Sequence, residues 1–353
     1  MVMVVCLHTL GHGGLVENAL VPRTYNWYLG NFMQTLSLQA VNCFVMISAY
    51  FLCTSKFKLS KLIATWIQVF FYSVVIALIL MIFYEGTPFS VKELIKCALP
   101  FTMDRYWFVT DYLLLYMTFP ILNCAVRSMN RKTHLFFCAV LFVIFSLIPN
   151  IVYISDFSGI NGGYSYTWFC ILYLFASYIR LYVPERVKHQ KWMFPCYAIL
   201  AFVICGERFL AYYITPHIFG GVRLTSLFYS YNSIVSVFCA LALFQTFRGI
   251  NIKSKVVNKA IGFIAPLTFA VYLIHDHHTF RPVLWEFLAP EKTAGKPYMA
   301  VYVIACVIIV FTACCLIEWI RQMLFKVTGI NKLVKHVCDR VQGSIERKLS
   351  KIL

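Results

Sequence analysis

The sequence predicts an all-α polytopic membrane protein of about ten transmembrane helices with both termini in the cytoplasm, and three observations carry that expectation. Apolar runs near the twenty residues needed to cross hydrocarbon recur along the whole chain. Charged residues make up only 13% of the 353, where a soluble domain carries about a quarter. The basic residues alternate in density from loop to loop. Backbone in lipid must satisfy its own hydrogen bonds, which leaves helices or a closed barrel. The runs are too long and too uniformly apolar for the alternating strands of about ten residues that build a barrel.

Taken in order, spans are expected near 1–20, 35–53, 62–84, 106–125, 135–154, 165–183, 192–213, 224–247, 260–279 and 298–320. The first is expected to be truncated, because its apolar run reaches His8 almost at once. Between the third and fourth spans, segment 85–105 mixes Lys92, Glu93, Lys96, Asp104 and Arg105 with apolar residues, which suits a short interfacial helix. After the last span, Ile330, Leu333, Val334, Val337, Val341, Ile345, Leu349 and Ile352 recur at helical spacing among lysines and arginines. That is a basic amphipathic helix for the cytoplasmic surface of an anionic membrane. The domain reading is therefore a transmembrane domain over 1–325 and a cytoplasmic tail helix over 326–353.

Orientation follows from charge. Of the 31 Lys and Arg, 22 fall in alternate loops and the tail, against 8 in the remaining loops, with Arg208 inside a span. This is the positive-inside pattern, so the net charge of +17 reports topology, and no nucleic-acid partner is expected. The fourteen cysteines sit mostly inside spans and read as small buried hydrophobes.

Once oriented, each intramembrane polar residue acquires a depth. Asn42 enters the second span from outside, and Trp107, Asp111 and Tyr112 begin the fourth. Glu207 and Arg208 close the seventh span, and the ninth ends in His275-Asp276-His277-His278. Together with His8 these groups gather in the outer half of the membrane. Ionisable residues there are costly unless they face a shared interior or a watery cavity. No metal is expected, since adjacent residues at a helix end point in different directions. His8 and His12 are four apart, but Gly11, Gly13 and Gly14 should break the helix there. No Gly-x-Ser-x-Gly, phosphate-binding loop or dinucleotide fingerprint occurs. A transporter or flippase for a lipid-linked saccharide or other anionic solute would also place polar groups at depth, but would be expected to show repeat symmetry.

The stretches His8-Thr-Leu-Gly-His-Gly-Gly14 and Val41-Asn42 to Tyr50-Phe51 resemble the start of membrane-bound acyltransferase 3 family proteins. Tyr106-Trp107-Phe108-Val-Thr-Asp-Tyr112 resembles the family's central span, and Val271-Tyr272-Leu-Ile-His275-Asp276 its late span. The resemblance runs to about residue 325 and is nearest to the bacterial surface-polysaccharide O-acyltransferase type. The family's first span carries an arginine upstream of its histidine, and counted back from His8 it falls before Met1. The resemblance implies transfer of an acyl group, most simply acetyl, from acetyl-CoA or another acyl-CoA to a sugar hydroxyl. The acceptor would be a glycan or a lipid-linked glycan at the bacterial inner membrane, with no bound cofactor and membrane lipids as the other partners. His8 and His275 are then the catalytic candidates, His8 as base or acyl carrier. Asn42, Trp107, Asp111, Tyr112, Glu207 and Arg208 are the substrate-binding candidates. The thioester arm is expected to thread in from the basic side near Lys56, Lys58 and Lys61.

Overall fold

The computed structural model describes residues 1–103, 105–152, 159–185, 190–218 and 227–349, and among them the chain is helical with no strand. Asp104, Ile352 and the side chain of Leu349 lie outside that description. Seven of the described helical stretches are long and apolar enough to cross a membrane.

The first expected span is not one helix. α1 (Val2–Leu10) lasts nine residues and stops at a turn over 11–14, after which a π-helical turn covers Leu15–Ala19. Gly13 makes that turn possible. A Cβ there would lie 2.1 Å from the Thr9 carbonyl oxygen and 2.5 Å from Pro290 Cγ. Gly14 follows at φ +72°, a left-handed conformation that favours glycine.

The second span starts about ten residues earlier than its hydropathy suggests. α2 (Tyr25–Ser37) runs into α3 (Ala40–Leu52), and together they form one candidate span over Tyr25–Leu52. Asn26, Asn31, Gln34, Thr35 and Ser37 make this stretch polar, yet all five are buried. Asn26 Nδ2 donates to the carbonyls of Ala294 and Lys296 at 2.8 Å, and Thr35 bonds back to Asn31. Their polarity is spent inside the protein, so the helix survives it.

The remaining helices are α4 (Leu59–Phe83), α5 (Val91–Ala98), α6 (Trp107–Ser128), α7 (Arg131–Phe142), α8 (Ile148–Val152), α9 (Tyr166–Tyr182), α10 (Met193–Ile218) and α11 (Ile234–Arg248). α5 is the short helix expected in segment 85–105, capped by Ser90 and tied down by an Arg105–Glu93 ion pair at 2.6 Å. The ninth expected span is broken into α12 (Lys255–Ile264) and α13 (Thr268–His275) by a 3₁₀ turn holding Pro266, whose ring disfavours a continuous helix. α14 (Phe280–Leu288), α15 (Met299–Val327) and the amphipathic tail helix α16 (Ile330–Leu349) complete the chain.

α3 lies at the centre, packed against α9 and α11, while α10 packs against α11 and α2. Small buried residues on these faces, Ala49, Ala176 and Ala240, let the backbones approach closely. Lipid is as apolar as a leucine side chain, so packing and interhelical hydrogen bonds must supply the specificity. Asn42 provides two of them: its Nδ2 donates to the Tyr231 carbonyl at 2.8 Å, and its Oδ1 accepts from Trp168 Nε1 at 3.0 Å. α1 packs against α15, α2 and α13, which carries its end to the end of α13.

Candidate active site

The site forms where two helices stop. His8 lies in the last turn of α1, and α13 ends at His275. Asp276 leaves the helix with φ −100° and ψ 11°, so its side chain escapes the 100° step that separates helical neighbours. Both His275 and Asp276 therefore reach α1. His8 Nδ1 is 2.9 Å from His275 Nε2, and 3.7 Å from Asp276 Oδ1. The turn over 11–14 brings His12 back as well. Its ring centre is 4.7 Å from that of His8, and its Nε2 is 3.6 Å from Asp276 Oδ1. The same oxygen accepts from Arg281 Nη1 of α14 at 3.2 Å.

Proton positions on the two central rings follow from their partners. His275 Nδ1 bonds the Val271 carbonyl, which can only accept, so the proton sits on Nδ1. A neutral His275 then offers a lone pair at Nε2, and His8 Nδ1–H donates to it. That leaves the lone pair of His8 on Nε2. His275, fully buried, thus fixes the tautomer and ring plane of His8, as a carboxylate does in a hydrolase triad.

His8 forms part of the wall of a cavity of about 780 Å³. Met1, Val4, Leu7, His8 and Gly11 line it as one stripe of α1, so the cavity follows that helix along its length. Aromatic rings line it too, with Trp107 and Tyr164 at 4.6 Å and Tyr164 and Tyr231 at 4.8 Å between centres. Arg208 also lines the cavity; its guanidinium lies 4.0 Å from the Tyr229 ring centre and donates to Gln34 Oε1 at 2.8 Å. Glu17, His12, Asp276 and Arg281 complete the polar lining.

Of the residues singled out from sequence, the cavity thus gathers His8, Trp107 and Arg208, with His275 directly behind His8. The other four substrate-binding candidates do not line it. Asn42 is the interhelical bridge described above. Tyr112 stacks on Phe108, and Glu207 accepts the backbone N–H groups of Leu227 and Phe228. Asp111 stands further along α6 from Trp107. His277 is buried away from the cavity and bonds the Ser73 carbonyl of α4 at 3.0 Å. Sequence reasoning discounted His12 because glycines break the helix after His8. The break is real, but it folds His12 back instead of sending it away. Gln34, Arg281 and Tyr229 carried no signal, since each joins the cavity only through tertiary packing.

The acyltransferase domain of acyltransferase family 3 matches residues 1–319. The chain belongs to that family. No curated protein and no solved structure matches it. His8, His275 and Arg281 all fall inside the region that this acyltransferase domain matches. His8, His12 and Asp276 present donor atoms within 4.8 Å of one another, a spacing a divalent ion accepts. Arg281 already holds the Asp276 oxygen there and sets a positive charge against such an ion.

Proposed function

We propose that this acyltransferase moves an acyl group, acetyl in the simplest case, from acyl-CoA to a sugar hydroxyl. The acceptor is a cell-surface polysaccharide or its lipid-linked precursor at the bacterial inner membrane. The observation that carries this reading is the His8–His275 pair, which leaves an unprotonated imidazole nitrogen on a residue of the cavity wall. A sugar hydroxyl is a poor nucleophile and gains from a base that takes its proton during attack.

In the proposed reaction His8 Nε2 accepts the hydroxyl proton as the oxygen attacks the thioester carbonyl. The tetrahedral adduct then expels the CoA thiolate, which takes the proton back from His8, so the imidazole ends the cycle neutral. Asp276 lies 3.7 Å from His8 Nδ1 and favours the imidazolium that forms in between. The stripe from Met1 to His8 suits a linear acyl or pantetheine arm laid along α1. The rings of Trp107, Tyr164 and Tyr231 suit the flat apolar face of a sugar. Arg208, held by Gln34 and Tyr229, gives the cavity a fixed positive charge.

The test is the ester-linked acyl content of the host's surface polysaccharide by NMR. A strain lacking the gene is compared with strains carrying wild type or His8→Ala at equal membrane abundance. Acyl groups restored by wild type and not by the variant are expected. Restoration by both would remove His8 from the mechanism, and equal content in all strains would turn the reading toward transport.

A further inference from the structure

A second groove, of about 310 Å³, lies apart from the cavity that His8 lines. Its walls are the first turns of α4, the end of α15 and the start of α16. Ser73, which bonds His277, is twelve residues beyond Lys61, or roughly 18 Å along the helix axis. The two cavities share no lining residue.

The groove is built for negative charge. Lys61 of α4, Arg321 of α15 and Lys335 of α16 line it, with Ser60, Thr65 and Asn331 between them and no carboxylate in the lining. Arg321 is already neutralised, since Glu318 accepts from its Nε at 2.8 Å and its Nη2 at 2.7 Å. Lys61 and Lys335 have no acidic partner within 4.0 Å among the described residues, so two cations of different helices face one opening uncompensated. Like charges held together this way raise the folding cost unless an anion joins them. The placement of α16 is not incidental: Gln342 accepts from the Leu59 N–H at 2.9 Å and donates to the Phe57 carbonyl at 3.2 Å, which fastens it across the start of α4.

The surroundings identify the anion's source. The same helices present exposed apolar residues beside the groove, Trp66 on α4 and Ile320 and Leu324 on α15. The apolar stripe of α16 lies at the same end. A molecule with a phosphate in the groove and acyl chains against α4 and α15 meets complementary surfaces at both depths. A water-soluble phosphate would leave the apolar flank unused.

We propose that this groove binds the phosphate headgroup of an anionic membrane phospholipid, one lipid per chain. Lys61 and Lys335 form charge-assisted bonds to the phosphate, and Ser60, Thr65 and Asn331 are the neutral polar groups around it. The bound lipid neutralises the two lysines and holds α16 to α4. Lys61 is thereby assigned to lipid and not to the acyl donor.

The test uses the full chain in phosphatidylcholine nanodiscs containing a minor fraction of phosphatidylglycerol, with retained lipids counted by native mass spectrometry. Wild type is expected to retain one phosphatidylglycerol. Lys61→Glu combined with Lys335→Glu should cut that retention on the order of thirtyfold. The control pair Lys332→Glu and Lys348→Glu changes net charge equally on exposed positions of α16 outside the groove, and should keep the lipid. Equal loss in both pairs would mean diffuse surface attraction and overturn the proposal. If the groove pair disturbs folding, Lys61→Gln with Lys335→Gln decides: lost retention in a variant that melts like wild type supports the site, and wild-type retention overturns it. Displacement of the lipid by CoA at matched concentration would assign the groove to the donor's nucleotide and equally overturn it.

Discussion

Removing His275 should slow the enzyme through His8 alone, and a double-mutant cycle measures this. The base itself is worth about 10²–10⁴-fold, so His8→Ala is expected to cost about 3–5 kcal/mol of transition-state stabilisation. His275 touches no reacting atom in this scheme. It holds His8 Nδ1–H at 2.9 Å and so keeps the lone pair on Nε2. In a hydrolase triad the loss of the group that sets the histidine tautomer costs about 10⁴-fold. Here the loss should be smaller, about 10²-fold, because Asp276 Oδ1 stands 3.7 Å from the same nitrogen and can replace the acceptor after a small ring rotation. The assay is release of free CoA from acetyl-CoA in membranes, normalised to folded protein, for wild type, both single variants and the double variant. With His8 already alanine, His275→Ala should add no further loss, since a positioning residue has nothing left to position. A double variant whose loss equals the product of the two single losses would show that His275 acts independently, and the tautomer argument would fall.

Three further outcomes follow from the same geometry. Arg208→Lys should raise KM for the acceptor several-fold with little change in kcat, because an ammonium cannot keep both the face of Tyr229 and the Gln34 bond; an unchanged KM would exclude Arg208 from binding. Gly13→Ala should destabilise by about 1–3 kcal/mol and lower activity with it, since its Cβ must displace the Thr9 carbonyl and Pro290; a melting temperature equal to wild type in detergent would contradict the close approach. Asn42→Leu should lower the melting temperature by leaving the buried Trp168 N–H unpaired, at about 1–3 kcal/mol, while kcat per folded molecule stays near wild type; a selective loss of kcat would return Asn42 to the site.

How much of this was legible depended on whether a residue's environment is set by its neighbours in sequence. Membrane class, helical fold and the α16 stripe are properties of runs, and hydrocarbon enforces them on any chain of this composition. The first break point was legible too, because Gly11, Gly13 and Gly14 act locally, whereas the turn at Pro266 falls inside the expected span 260–279. The start of α2 was not, since the polarity of Asn26 and Gln34 is explained only by their partners in segment 290–296 and on α10.

The candidate site divides the same way. His8 and His275 stood out because a histidine in an apolar run is costly wherever it lies, and the sequence by itself determined that much along with the family. Only the tertiary structure decided what they do, since 267 positions separate two nitrogens that end 2.9 Å apart. It also moved Asn42, Tyr112 and Glu207 out of the cavity wall and put Gln34, Arg281 and the refolded His12 into it. The physical reason is that depth in a membrane is a one-dimensional property that hydropathy and charge encode. Which face of a helix meets which neighbour is settled by packing and by the hydrogen bonds that buried polar groups must find.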